Sequence, residues 1–189
     1  MRLFIALEVP DTWRAAATAQ QEALAAALPA ATRRELRPVH ADLLHVTLRF
    51  LGEVDEGGID PLQAALDGVP PFVVELSLDR AGTFGSAPRT GVVWLGVGGQ
   101  LRTLRGIASD VERAMRLIGV PGDDRPFAAH LTLARLGRHA TAEDRSAVAQ
   151  AVKQLDAPSP APFFTSELVL VRSYLEGPAP RYEVLSHHP

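Results

Sequence analysis

Two short segments constrain this chain more than anything else in it. His45-Val-Thr-Leu-Arg-Phe-Leu-Gly52 and His130-Leu-Thr-Leu-Ala-Arg-Leu-Gly137 agree at five of eight positions and begin 130 − 45 = 85 residues apart. Side chains alternate along a strand, so each segment predicts a strand with one apolar and one polar face. In the first, His45, Thr47 and Arg49 share the polar face, against Val46, Leu48 and Phe50. In the second, His130 and Thr132 oppose Leu131 and Leu133. A repeated His-x-Thr on a wet face implies two related halves. Packed about a pseudo-twofold axis, they would bring two imidazoles and two hydroxyls to one cleft.

The flanking patterns agree with an α+β fold. Strands are predicted over 2–9, 33–39, 44–51, 72–78, 92–97, 127–136, 164–175 and 181–187, and helices over 12–28, 59–67, 100–118 and 141–155. Asp11 is placed to cap the first helix, and Thr141 opens the last. The stripe of Leu104, Ile107, Ala108, Val111 and Met115 marks the buried face of helix 100–118. No glycine-rich phosphate loop follows any strand, and no linker divides the chain, so one two-lobed domain is expected over residues 1–189. The expected architecture is bilobal: two antiparallel-sheet lobes related by a pseudo-twofold axis, helices outside, a central cleft between.

Composition narrows the chemistry. With no cysteine, the chain has no disulfide framework, cysteine-ligated metal or thiol nucleophile, which suits a cytoplasmic protein. A net charge of −3 argues against a long footprint on a nucleic-acid duplex but leaves room for a short oligonucleotide or a single phosphate. No stretch reaches the roughly 20 apolar residues of a membrane span, so no membrane partner is expected.

Two imidazoles and two hydroxyls suit reaction at phosphorus. One neutral imidazole takes a proton from water, one imidazolium gives a proton to the leaving oxygen, and threonine hydroxyls donate to the non-bridging oxygens. Histidine fits because its ordinary pKa of about 6.5 lets both forms coexist near neutrality.

Here the sequence resembles a known family, the RNA 2′,3′-cyclic phosphodiesterases or 2′-5′ RNA ligase-like proteins of the two-histidine phosphoesterase superfamily. The likeness rests on an ordered set: Arg2-Leu-Phe-Ile-Ala-Leu, Leu44-His-Val-Thr-Leu-Arg-Phe-Leu-Gly52, Gly91-Val-Val-Trp-Leu-Gly96, Arg125-Pro-Phe-Ala-Ala-His-Leu-Thr-Leu-Ala-Arg135 and Ser173-Tyr-Leu-Glu-Gly-Pro-Ala-Pro-Arg-Tyr182. It departs from the family where Pro38, Gly85 and Ala129 stand in place of tryptophan, proline and proline. The resemblance implies His45 as general acid, His130 as general base, and Thr47 and Thr132 as phosphate ligands. It also implies Arg135 near the phosphate, although strict alternation puts Arg135 opposite His130 unless a bulge intervenes. Arg49 is the competing phosphate ligand, since alternation sets it beside Thr47. Phe84 and Trp94 are candidates to stack a nucleobase, with core packing the bland alternative for Trp94. His40, His139, His187 and His188 read as turn, loop and tail residues.

The implied reaction is metal-independent hydrolysis of RNA 2′,3′-cyclic phosphate ends to 2′-phosphomonoesters, with reversible 2′-5′ ligation as a related activity. No cofactor and no metal are expected. The partners are RNA ends or short oligonucleotides carrying the cyclic phosphate, with no obligate protein partner. Two rival classes remain: a metal-dependent phosphohydrolase using the histidines as ligands, and a non-catalytic module that binds RNA ends or nucleotides.

Overall fold

A computed structural model describes residues 1–123, 125–175 and 180–189. In chain order the elements are β1 (Arg2–Glu8), α1 (Asp11–Ala27), α2 (Ala30–Glu35), β2 (Leu36–Pro38), β3 (His45–Glu53), α3 (Ile59–Asp67), β4 (Val74–Phe84), β5 (Val92–Gly99), α4 (Leu101–Leu117), β6 (His130–Leu136), α5 (Ala142–Lys153), β7 (Phe163–Thr165), β8 (Leu168–Tyr174) and β9 (Arg181–His188). Of the C-terminal stretch that carried the family likeness, residues 176–179 lie outside the described residues.

The strands form an antiparallel sheet in the order β7-β4-β5-β6-β3-β1-β8-β9, with β2 on the far part of β6. Four strands lie on each side of the β6–β3 junction, where the ladder pairs just Val46 with Leu131. There the two lobes part and a cleft opens. The lobes are not consecutive halves of the chain. Hairpin β4–β5 lies beside β6, and hairpin β8–β9 lies beyond β1 on the side of β3, so each lobe joins a histidine strand of one half to a hairpin of the other. This exchange interlocks the halves.

Helices pack on the sheet, α3 on β9, α4 across the junction on β3 and β4, α1 on β6 and α5 on β4. The core lies between. Leu3, Ile5 and Leu7 point into it from β1, Leu104, Ile107, Val111 and Met115 from α4, and Trp13, Ala17 and Leu24 from α1. Trp13 closes one end of the second lobe by meeting Phe163 edge to face at 4.7 Å. Burying such faces drives association of the helices with the sheet, at about 25 cal/mol per Å² of apolar surface.

The sequence reading needs several corrections. Residues 30–35 form α2 rather than the start of a strand, leaving β2 three residues long. Asp11 is the first helical residue and Pro10 stands at the N-cap position with no side-chain cap. β4 runs on to Phe84, so its hairpin with β5 is longer than the alternation suggested. β6 begins at His130, because residues 127–129 precede the ladder. At α5, Thr141 and Asp144 do form the reciprocal capping box.

Candidate active site

Both histidines open their strands and are held the same way. His45 Nδ1 lies 2.7 Å from the carbonyl of Leu43, and His130 Nδ1 lies 2.7 Å from the carbonyl of Ala128. A carbonyl oxygen can only accept, so Nδ1 carries the proton in each neutral ring and Nε2 carries the lone pair. A residue two places upstream thus sets the tautomer twice.

Beyond the threonines both strands leave strict alternation in the same place. β3 is bulged at Leu48, where the β1 partners jump from Ile5↔Arg49 to Ala6↔Thr47, and β6 is bulged at Leu133, where the β5 partners jump from Val93↔Ala134 to Trp94↔Thr132. One extra residue reverses the face of everything after it. The burial patterns over the first seven residues of each strand are accordingly the same: half-buried, buried, half-buried, buried, buried, exposed, half-buried. His45, Thr47 and Phe50 face the cleft from β3. His130, Thr132 and Arg135 face it from β6.

The bulges send the two candidate arginines into different surroundings. Arg135 turns toward the histidines, close enough for its positive charge to depress the pKa of both rings. Arg49, expected beside Thr47, is buried in the wall of the cleft that Thr47 and Phe50 also line, among acidic partners. Its Nε lies 2.7 Å from Glu112 on α4, its Nη1 lies 3.3 Å from Asp123, and its Nη2 donates to the carbonyl of Pro121. Its fork is committed to neighbours in the fold.

Aromatic rings surround the imidazoles. Phe4 stacks on His45 at 4.6 Å and Tyr182 meets it edge-on at 5.4 Å, while Phe84 meets His130 edge-on at 4.9 Å. Trp94 is paired across the ladder with Thr132 and is half-buried, its ring tilted against Phe84 at 5.5 Å. Its ring lies across Gly82, where a Cβ would come within 2.3 Å of the indole. After Phe84 the chain turns through Gly85 at φ 95°, which the proline expected from the family could not adopt.

These surroundings tune the rings. His45 is lowered from 6.5 to about 4, chiefly because burial penalises its charged form, with the Leu43 carbonyl opposing and the charges of His130 and Arg135 adding. His130 is lowered as well, first by burial and then by Arg135. A cleft of about 570 Å³ runs from His130 and Thr47 past Phe50 and Phe84 to Arg125 and Phe127. Arg125 is held by Asp123 through bonds of 2.9 and 2.8 Å.

Sequence reasoning missed Phe4, Phe50 and Arg125 as cleft residues, and it quoted Tyr182 without giving it a place. Periodicity cannot supply them, because pairing of distant strands and the bulges bring them in. His188 is also corrected: it is buried, with Nδ1 2.6 Å from Asp67 and Nε2 2.8 Å from Ser186, and ties β9 to α3 on the helix side. Among the described residues, the grouping of three His, Asp or Glu ligands close enough to share a cation is Glu8, Glu167 and His187. Neither motif histidine belongs to it. No helix among the described residues is long and apolar enough to cross a membrane.

The LigT like Phosphoesterase family model matches this chain twice, over residues 13–94 and 95–182, with one His-x-Thr strand in each match. The chain belongs to the LigT-like phosphoesterase family. An RNA 2′,3′-cyclic phosphodiesterase of Methanothermobacter thermautotrophicus is 29% identical to this LigT-like chain over 189 residues, 96% of this chain and 95% of that protein. Another from Geobacillus stearothermophilus is 34% identical over 155 residues, and there the match spans 80% of this chain but about half of the relative, 46%. Apo E. coli LigT superposes with a TM-score of 0.75 at 28% identity, covering 98% of this chain and 95% of that one. The same fold therefore recurs in a solved LigT structure.

Proposed function

We propose that this LigT-like protein hydrolyses 2′,3′-cyclic phosphate ends of RNA to 2′-phosphomonoesters, using the two histidines as acid and base and no metal. The observation that carries this reading is the matched presentation of two Nε2 atoms by identical Nδ1-to-carbonyl bonds, with Arg135 beside both rings. His130 takes a proton from water as its oxygen bonds to phosphorus. The bond from phosphorus to the ribose 3′-oxygen breaks, and His45 Nε2–H gives that oxygen its proton. Thr47 and Thr132 donate to the non-bridging oxygens, and Arg135 offsets their growing charge. A nucleoside 5′-hydroxyl in place of water gives 2′-5′ ligation by the same bond changes.

Burial and Arg135 favour neutral imidazoles, which suits the base but not the acid. A phosphate anion set between the rings favours the imidazolium and opposes both effects, so the substrate itself prepares His45 to hold its proton. Phe84 and Phe50, each exposed at the cleft, offer faces to a nucleobase. The activity of the relatives and the crystallisation of E. coli LigT with 3′-AMP support a nucleotide substrate.

The test is an RNA oligonucleotide ending in a 2′,3′-cyclic phosphate, incubated with the protein in excess EDTA, with the products digested and resolved as 2′- or 3′-monophosphates. A 2′-phosphate made at an undiminished rate is expected. A 3′-phosphate would exchange the acid and base, and no turnover would remove the enzymatic reading.

A further inference from the structure

The β6 bulge that turns Arg135 into the cleft needs support, because a bulged residue leaves the regular ladder and its carbonyl must find another donor. Leu133 is that residue, and its carbonyl has two donors: the backbone N–H of Val39 at 2.8 Å and Gln21 Nε2 at 2.8 Å. Gln21 Nε2 also donates to the carbonyl of Val39 at 2.8 Å, so both hydrogens of one amide are spent on the junction of β2 and β6. Gln21 belongs to the face of α1 that Trp13, Ala17 and Leu24 bury, where an apolar residue would be the ordinary choice. The other lobe uses the corresponding helix for the same purpose. α4 packs on β3 as α1 packs on β6, and its Glu112 holds Arg49, the residue that follows the β3 bulge.

We propose that Gln21 is a positioning residue: by bonding the Leu133 carbonyl it holds the β6 bulge and thereby keeps Arg135 turned toward the two histidines. This rests on the reading of Arg135 as the phosphate ligand. Gln21 touches no reacting atom. Its effect on turnover passes through the guanidinium, and without it residues 133–135 are free to drift toward regular alternation, which carries Arg135 away from the cleft.

Gln21→Met keeps the length and apolar stem and removes both donors. It should lower kcat/KM for a cyclic-phosphate oligonucleotide by about 3- to 10-fold, the range of one or two lost hydrogen bonds, with part of the loss in kcat because Arg135 meets charge that grows in the transition state. In an Arg135→Ala background the same change should do nothing further, since the residue it positions is gone. Gln21→Lys, which restores donors within reach of both carbonyls, should recover most of the loss. A readout without substrate is the NMR titration of His130. In Gln21→Met it should move upward toward its value in Arg135→Ala, because the depressing charge has withdrawn. Full additivity of the two substitutions, an unmoved His130 titration, or equal loss in the Met and Lys variants would overturn the proposal. If Gln21→Met fails to fold, Gln21→Asn, shorter by one methylene, is read by the same titration. A wild-type protein that binds but does not turn over the oligonucleotide would defeat the proposed function, while the titration would still decide the role of Gln21.

Discussion

Acid should destabilise this protein through its motif histidines, His45 above all, before most of its carboxylates titrate. The Phe4 ring stacked at 4.6 Å and the Tyr182 ring at 5.4 Å help take the His45 imidazole out of water, and its pKa falls from 6.5 to about 4. The unfolded chain accepts a proton at about pH 6.5, whereas the folded chain resists until about pH 4. Stability is therefore complete above pH 6.5 and is lost as the pH falls from there to 4. Over about 2.5 pH units at ~1.36 kcal/mol per unit the loss is roughly 3.4 kcal/mol, a large share of the ~5–15 kcal/mol that holds a domain together. Asp123, lowered to about 2, titrates below this window and does not confuse it. His130 contributes with the same sign but is present in both proteins to be compared. His45→Gln provides a neutral side chain of similar reach that can still donate to the Leu43 carbonyl. Urea unfolding of both proteins between pH 7 and 4.5 should show the wild type losing about 2–3 kcal/mol more than the variant. Equal losses, or a His45 NMR resonance titrating near 6.5, would refute the burial argument.

His45→Ala and His130→Ala should each lower the single-turnover rate on a cyclic-phosphate oligonucleotide by roughly 10²–10⁴ while binding persists; near-normal turnover by either removes that ring from the chemistry. Activity should survive EDTA, and loss on chelation with recovery on adding zinc or manganese would turn the site into a metal centre. Arg49→Met leaves Glu112 and Asp123 without their shared cation. Because both carboxylates keep about a quarter of their exposure, the cost should be about 2 kcal/mol by urea unfolding, below the ~3–5 of a fully buried pair; a variant as stable as wild type would show the clamp to be idle.

The motif strands were legible from His45 to Thr47 and from His130 to Thr132, because a two-residue period holds as long as the ladder is regular. It stopped being legible one residue later. Leu48 and Leu133 are ordinary strand residues, and nothing in a leucine announces a bulge, yet each reverses the side on which Arg49, Phe50, Ala134 and Arg135 emerge. The resemblance favoured Arg135 where alternation favoured Arg49, and the conflict between them was itself the sign of a bulge. Helices α1 and α4 followed from their apolar stripes. α2 did not, since six residues after Pro29 carry too short a period to separate a helix from a strand. Tyr182 and His188 were out of reach for a different reason. Their partners, His45 and Asp67, lie more than a hundred residues away and meet them only through the order of the strands.

The bulges also explain how a site built from two similar halves acquires a direction. Up to the threonines the halves offer equivalent groups: an imidazole with its Nδ1 on a carbonyl, then a hydroxyl, on each side of the cleft. Such a pair could bind a phosphate either way round. Under the proposed function, the fifth residue after each histidine removes the ambiguity, because the same distortion that delivers Arg135 from β6 delivers Phe50 from β3. A fixed cation then stands on one side and an apolar ring on the other. The fourth residue is divided too: β6 buries the small Ala134, whereas β3 buries Arg49, which Glu112 of α4 and Asp123 after it neutralise. That ion-paired cluster ties β3 to α4 and to the segment after it, which leads past Arg125 to Ala128, whose carbonyl orients His130. The strand that bears one histidine thus helps set the geometry of the other, and asymmetry in charge is imposed on a backbone that is nearly symmetric.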